Sequence, residues 1–261
     1  MERRGEAATT AATYLRDRWE ADPIGSVDPE EFYDFQVTRP MVRLQDGVTR
    51  KIDWPASTFF HAHLPERDVV VFLGIEPNVR WRTFTEALVG AARSLGVQTA
   101  LTMGAFLADV PHTFPVPVTG SAADPTSAER LGLSTSRYEG PTGIVGVLHD
   151  ALTGAGFASA SLLAAVPHYL PGGPNPKAAQ ALVDKATALL GVSVDTDTLA
   201  RAGDTWESQV TSTIEENAEL AAYVRQLESA AKDREGPTEI PSGDTLAAEL
   251  ERFLREQRGE S

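Results

Sequence analysis

The sequence predicts a layered α/β domain in which helices cover a central sheet, and three observations carry that prediction. Short β-rich apolar runs alternate along the chain with longer stripes of apolar residues spaced by three and four. Turn and cap residues, Asp46-Gly47 and Asn175-Pro176 among them, stand where the periodicity changes. The 261 residues, 42% of them hydrophobic, suffice for a well-buried core.

Taken in order, weak strands are expected at residues 33–37, 41–44 and 49–52, with Asp46-Gly47 as a hairpin turn, forming a sheet edge or small subsheet. His61 and His63 alternate on a further strand and face one side, the minimum geometry for two metal ligands. With no third ligand at a matching spacing, no metal is assigned. The strongest buried strand is 69–75, followed by 97–106 and 159–166; each is bounded by Gly, Pro or charge, and all three are expected at the centre of the sheet.

Helices fill the intervals. Trp81, Phe84, Leu88, Ala91 and Leu95 line one helical face, and Ile144, Val147, Leu148, Ala151 and Leu152 another, behind a Thr142 cap. Asn175-Pro176 opens a helix striped by Ala179, Leu182, Val183, Ala186 and Leu189, which Gly191 closes. Asp195 and Asp197 read as turn and cap residues before Leu199. Asp204, with Glu207 completing a capping box, is expected to start a long polar helix to about Ala231, whose seam is Trp206, Val210, Ile214, Ala221 and Val224. Gly236-Pro237 interrupts it. The expected organisation is an α/β core over 1–203, a long helix packed on or between cores over 204–235 and a linker over 236–243. A C-terminal amphipathic helix and tail, carrying Leu246, Leu250, Phe253 and Leu254, completes it over 244–261.

Composition removes whole function classes. The absence of Cys excludes disulfides, thiol nucleophiles and thiolate metal sites. A net charge of -14 repels phosphate backbones and anionic lipid, and the scattered Lys and Arg form no basic patch, so neither nucleic acid nor membrane is an expected partner. The N-terminus lacks an apolar leader and no stretch is long enough to span a bilayer, which places the protein in the cytoplasm. Phosphate-cradling glycine loops, a Gly-x-Ser-x-Gly elbow and a carboxylate cluster for magnesium are also missing, so no cofactor is expected.

Candidate site residues fall just after the predicted parallel strands: Glu76, then Asp109 and His112, then His168 and Tyr169. Loops at the carboxyl ends of strands in open α/β sheets share one crevice, where ligands bind. Glu76 reads as a general base or ribose-binding carboxylate, or as a carboxylate bonding loop amides or pairing with Arg80 or Arg82. His112 and His168 read as proton-transfer or phosphate-binding residues, or as loop histidines held by backbone hydrogen bonds, with Tyr169 at the pocket floor.

Several segments together resemble the proteasome assembly chaperone family (PAC-type) in its uncharacterised actinobacterial branch. They are Gly74-Ile75-Glu76-Pro77 with Trp81-Arg82, the run from Met103 through Asp109, His112 and Thr113, and Pro167-His168-Tyr169 before Pro174-Asn175-Pro176. Tyr223-Val224-Arg225-Gln226-Leu227-Glu228 and Pro241-Ser242-Gly243-Asp244 continue the series. The resemblance implies a three-layer α/β/α sandwich like that of the purine nucleoside phosphorylases, with a C-terminal helical extension. It implies an oligomer, a trimer favoured, and a non-catalytic assembly-chaperone or scaffold role toward a proteasome-related client. Glu76, Trp81, Arg82, Met103, Asp109, His112, Thr113, His168, Tyr169 and Asn175 are then pocket or interface positions. The alternative is a transferase or hydrolase acting on a small nucleoside- or amine-type substrate at the strand-end crevice through Glu76 and His112. Two positions depart from the family pattern. Its members usually begin with a buried strand and a Gly-Trp-Asn-Asp-Ala-Gly-like turn, whereas Gly5-Glu6-Ala7-Ala8 follows only four residues here, so a fold short of one central strand is expected. Phe114 stands where a basic residue is expected after Pro-His-Thr.

Overall fold

A computed structural model describes residues 6–122, 125–135, 139–170 and 172–235. The expected linker and final helix, beyond residue 235, lie outside the described residues. The described residues open with α1 (Glu6–Arg18), β1 (Asp22–Val27), a 3-10 turn at Pro29–Glu31, and the strands β2 (Met41–Gln45), β3 (Thr49–Asp53), β4 (Ser57–His63) and β5 (Asp68–Leu73). Next come α2 (Trp81–Ser94), β6 (Thr99–Ala108), β7 (Val118–Ala122), α3 (Pro125–Leu131) and β8 (Ser134–Thr135). α4 (Ile144–Gly154), β9 (Ala158–Pro167), α5 (Pro176–Leu190), α6 (Asp197–Glu215) and α7 (Ala218–Glu235) complete it.

The mixed α/β class read from the sequence is the one observed. Strands β6 and β9 pair in parallel over their whole length, from Thr99 opposite Ala158 to Ala108 opposite Pro167, and β7 and β8 extend that sheet in the order β6-β9-β7-β8. A separate antiparallel sheet has the order β1-β4-β5. Residues alternate between faces along each strand. On one face, Leu162 and Ala164 of β9 pack with Ala7, Ala11 and Leu15 of α1 and with Ala178, Leu182 and Val183 of α5. On the other, Phe84 and Leu88 of α2 gather Phe59, Phe72, Ile144 and Leu148. The small residues of β9 let the helices approach closely, and Leu182, Val183 and Leu162 are wholly buried.

Four expectations are corrected. Residues 33–37 are a turn, not a strand: Asp34 accepts the amides of Val37 and Thr38, and Asn78 Oδ1 ties Asp34 and Thr38 to the loop after β5. Strand 69–75 is not central beside the other two; β5 ends the antiparallel sheet and β6 ends the mixed one. Asp204 does not start a helix. α6 begins seven residues earlier at Asp197, whose amide Asp195 Oδ1 accepts at 2.9 Å, and Asn217 breaks the expected single helix by accepting the first amides of α7. Nor does Thr142 cap α4. The N-cap is Gly143, and Glu76 Oε1 fills the capping role from another part of the chain, accepting the Ile144 amide at 2.9 Å.

Other signals map directly. Asp46 and Gly47 both take positive φ, 54° and 72°, in the β2–β3 turn. Asn175 Oδ1 accepts the Ala178 amide at 2.9 Å with Pro176 behind it, and Gly191 closes α5 at φ 61°. Between β5 and β6 no strand lies among the described residues, and a cavity of about 3370 Å3 separates them.

Candidate functional site

At the carboxyl ends of β6 and β9 the chain turns through Asp109–Thr113 and His168–Tyr169, and the polar residues there meet the C-terminal helices. His112 is almost fully buried. Its amide donates to the Tyr169 hydroxyl at 2.8 Å, and the same hydroxyl lies 2.9 Å from His112 Nδ1. His112 Nε2 is 3.0 Å from Thr211 Oγ1 on α6. One assignment satisfies every atom: a neutral ring protonated at Nε2, donating to Thr211 while Nδ1 accepts the Tyr169 proton.

Electrostatics agree. Burial depresses the His112 pKa below the ordinary histidine value, with Lys177 adding to that and Glu207 and Glu228 opposing it. Burial likewise pushes the Tyr169 hydroxyl up to about 12, so it stays a proton donor. Lys177, in the first turn of α5, donates to the His112 carbonyl at 2.8 Å and ion-pairs with Glu207 of α6. Thr113 donates to Glu228 of α7. The rings of His112, His168, Tyr169, Trp206 and Tyr223 meet edge to face. Helices α6 and α7 are thereby latched over the strand ends.

The remaining predicted residues divide into three groups. His168 and Asp109 pair at the exposed rim, 3.1 Å apart, with Tyr223 behind His168. Glu76 belongs to the other side of the sheet, where it caps α4, and Trp81 donates to the Pro77 carbonyl at 2.7 Å as it opens α2. Arg80 ion-pairs with Glu31 rather than Glu76, and Arg82 is exposed. Met103 packs into the core face of β6, and Asn175 is consumed as a helix cap. The structure therefore brings His112, Thr113, Asp109, His168 and Tyr169 together and leaves Glu76 with α4.

Sequence reading missed Lys177 and Thr211 as partners of His112, and Glu207 as the partner of Lys177. Glu207, expected in a capping box, sits mid-helix, one turn above Gly203, where a side chain would meet Lys177. It also missed Tyr33, whose hydroxyl meets Ser57 Oγ at 2.7 Å and donates to the Ile75 carbonyl at 2.6 Å. Phe114 carries a cation after all: the Lys232 ammonium lies 5.9 Å from its ring centre. His61 and His63 do share a side, and both face Asp68 Oδ1 across the ladder, at 3.6 Å and 2.6 Å. Among the described residues no group of three or more His, Asp or Glu is arranged to hold a metal.

The sequence profile of the PAC2 family matches residues 4–214. The chain belongs to the PAC2 family. A PAC2 family protein from Streptomyces avermitilis is 42% identical, with 86% of this chain and 95% of that one covered at a TM-score of 0.79. A proteasome-assembly chaperone homologue from Mycobacterium tuberculosis is 47% identical, with 84% and 94% covered at 0.75. An archaeal homologue of proteasome-assembly chaperone from Pyrococcus furiosus, 20% identical with 82% and 89% covered at 0.58, shares the fold. No curated protein matches. No described helix of this PAC2 chain is long and apolar enough to cross a membrane.

Proposed function

We propose that this PAC2 chain is a non-catalytic assembly chaperone that acts as a cytoplasmic homo-oligomer, a trimer, on a proteasome-related protein client. The observation that carries the reading is the latch over the strand ends. A catalytic histidine needs a nitrogen that can reach the reacting group and room for substrate beside it, whereas the His112 nitrogens bond Tyr169 and Thr211 and the ring is buried beneath α6. Glu76, the other candidate base, uses a carboxylate oxygen to hold the first amide of α4. A 47% identical relative named a proteasome-assembly chaperone homologue supports the client class.

Self-association draws support from the β2–β3 hairpin, which presents Met41, Val42, Leu44, Val48 and Ile52 to solvent, with Val48 83% exposed. The test mixes the purified chain with proteasome α and β subunits of its own host and follows the mass of the complexes by light scattering. Formation of a stoichiometric chaperone–subunit complex is expected. Saturable stabilisation by a nucleoside, nucleotide or amine that Glu76→Gln or His112→Gln abolishes, with no subunit complex, would overturn the reading in favour of an enzyme.

A further inference from the structure

Helices α6 and α7 are fastened to the molecule in different ways. α6 lies along α5, with Leu199 in the core and with Thr211 and Glu207 bonded to His112 and Lys177. Among the described residues α7 packs closely on no helix or strand other than α6, its neighbour in the chain. Its seat is made by two loops. Thr113, after β6, donates to Glu228 at 2.5 Å, and the Lys232 ammonium stands over the Phe114 ring. From the loop after β9, His168 Nε2 faces the Tyr223 hydroxyl at 3.4 Å, and the rings of His168 and Tyr169 meet that of Tyr223 edge to face. Of the described α7 side chains, Val224 and Leu227 alone are buried, a small apolar seal for a helix of 18 residues.

The joint between the two helices is built to turn. α6 ends at Glu215, and Glu216 and Asn217 are exposed. Asn217 donates its amide to the Ile214 carbonyl at 3.0 Å, while its side-chain oxygen accepts the Glu219 and Leu220 amides at 3.1 Å and its carbonyl the Ala221 amide at 2.9 Å. α7 therefore carries its own N-cap. Ala, Glu, Leu, Arg, Gln and Lys, all strong helix formers, fill most of its positions. Its helical hydrogen bonds draw nothing from the seat, and rotation at two exposed positions moves it without displacing α5, α6 or the sheet.

We propose that α7 is a hinged lid: it swings away as a preformed helix about Glu216 and Asn217 while α6 stays in place, and the Thr113–Glu228 pair is its catch. Opening uncovers Thr113, Phe114 and the sides of His168 and Tyr169 that face Tyr223. The His112 ring stays covered, because Thr211 belongs to α6. Closed and open forms differ in a few side-chain contacts rather than in core packing. The motion sets when the strand-end loops are available to a partner, and it needs no partner to occur.

Because the chain has no cysteine, single-cysteine variants report the opening. Val224→Cys and Leu227→Cys place a thiol under α7, and Ile214→Cys, at a similarly buried position, places one under α6. Labelling of each full-length variant by a charged maleimide is timed in native buffer and in urea below the unfolding transition. The two α7 thiols are expected to react about 100-fold faster than the α6 thiol, with little dependence on urea, and the labelled chain to keep the α7 signal in circular dichroism. Adding Thr113→Val is expected to raise both α7 rates about tenfold and to leave the α6 rate unchanged. Equal rates on the two helices overturn the lid, since α7 then leaves only together with α6. Loss of the α7 helical signal on labelling overturns it too, because the helix then melts instead of swinging. Rates at α7 unmoved by Thr113→Val overturn the catch.

Discussion

The Tyr169 hydroxyl holds His112 at two points, accepting from its backbone amide and facing its Nδ1 at 2.8 and 2.9 Å. That one oxygen fixes the loop after β6 to the loop after β9 and sets which His112 nitrogen bears the proton. The ring then reaches α6 through Thr211. Removing the oxygen strands a buried amide and a buried ring nitrogen. Tyr169→Phe is expected to lower unfolding free energy by about 1–3 kcal/mol in urea titrations. A change below about 0.5 kcal/mol would show that the contact does not brace the strand ends.

His112 also gives stability a pH dependence of known sign. Its folded pKa lies below the ordinary value of about 6.5, so the unfolded chain takes up a proton that the native ring refuses. Stability is expected to be fully present above about pH 6.5 and to fall as pH drops from there toward the depressed native pKa. His149, whose Nδ1 meets Ser159 Oγ at 2.7 Å, is shifted the same way by burial. Urea midpoints measured from pH 7.5 to 5.5 should fall less steeply in His112→Gln than in the parent; parallel curves would exclude His112 as the source.

Glu76 is expected to behave as a cap. Glu76→Ala should cost about 1 kcal/mol, with Glu76→Gln costing less because an amide oxygen still accepts the Ile144 amide. Thermal unfolding of the two variants measures the difference. A loss for Gln equal to that for Ala would assign the effect to charge rather than to the hydrogen bond.

Lys177 ties the loop after β6 to α6, donating to the His112 carbonyl and pairing with Glu207. Lys177→Met leaves a partly buried carboxylate and a carbonyl unmatched, and is expected to cost about 1–3 kcal/mol. Hydrogen exchange should rise first in α6 and α7, before β6 and β9. Uniform acceleration across the chain would mean that the pair does not act as a local latch.

Self-association through the β2–β3 hairpin predicts that Leu44→Glu with Ile52→Glu lowers the mass in light scattering to that of one chain, while circular dichroism stays unchanged. Both residues are more than half exposed, so neither charge needs to enter the core. An oligomer of unaltered mass would move the interface elsewhere.

What the sequence determined by itself is whatever depends on near neighbours. The Asp46-Gly47 turn, the Asn175-Pro176 start and Gly191 end of α5, and the apolar runs of β6 and β9 follow from backbone preference and periodicity within a few residues. Tertiary structure decided the rest, because the decisive partners are distant in the chain. Asn78 turned residues 33–37 away from a strand, Glu76 replaced Thr142 as the cap of α4, and Lys177 claimed Glu207, 30 residues along, from a capping box. His112 could be recognised as distinctive, but its chemistry rests on Tyr169 and Thr211, 57 and 99 residues away. A buried polar group must be satisfied by whatever the fold brings within about 3 Å, and no local pattern records that partner.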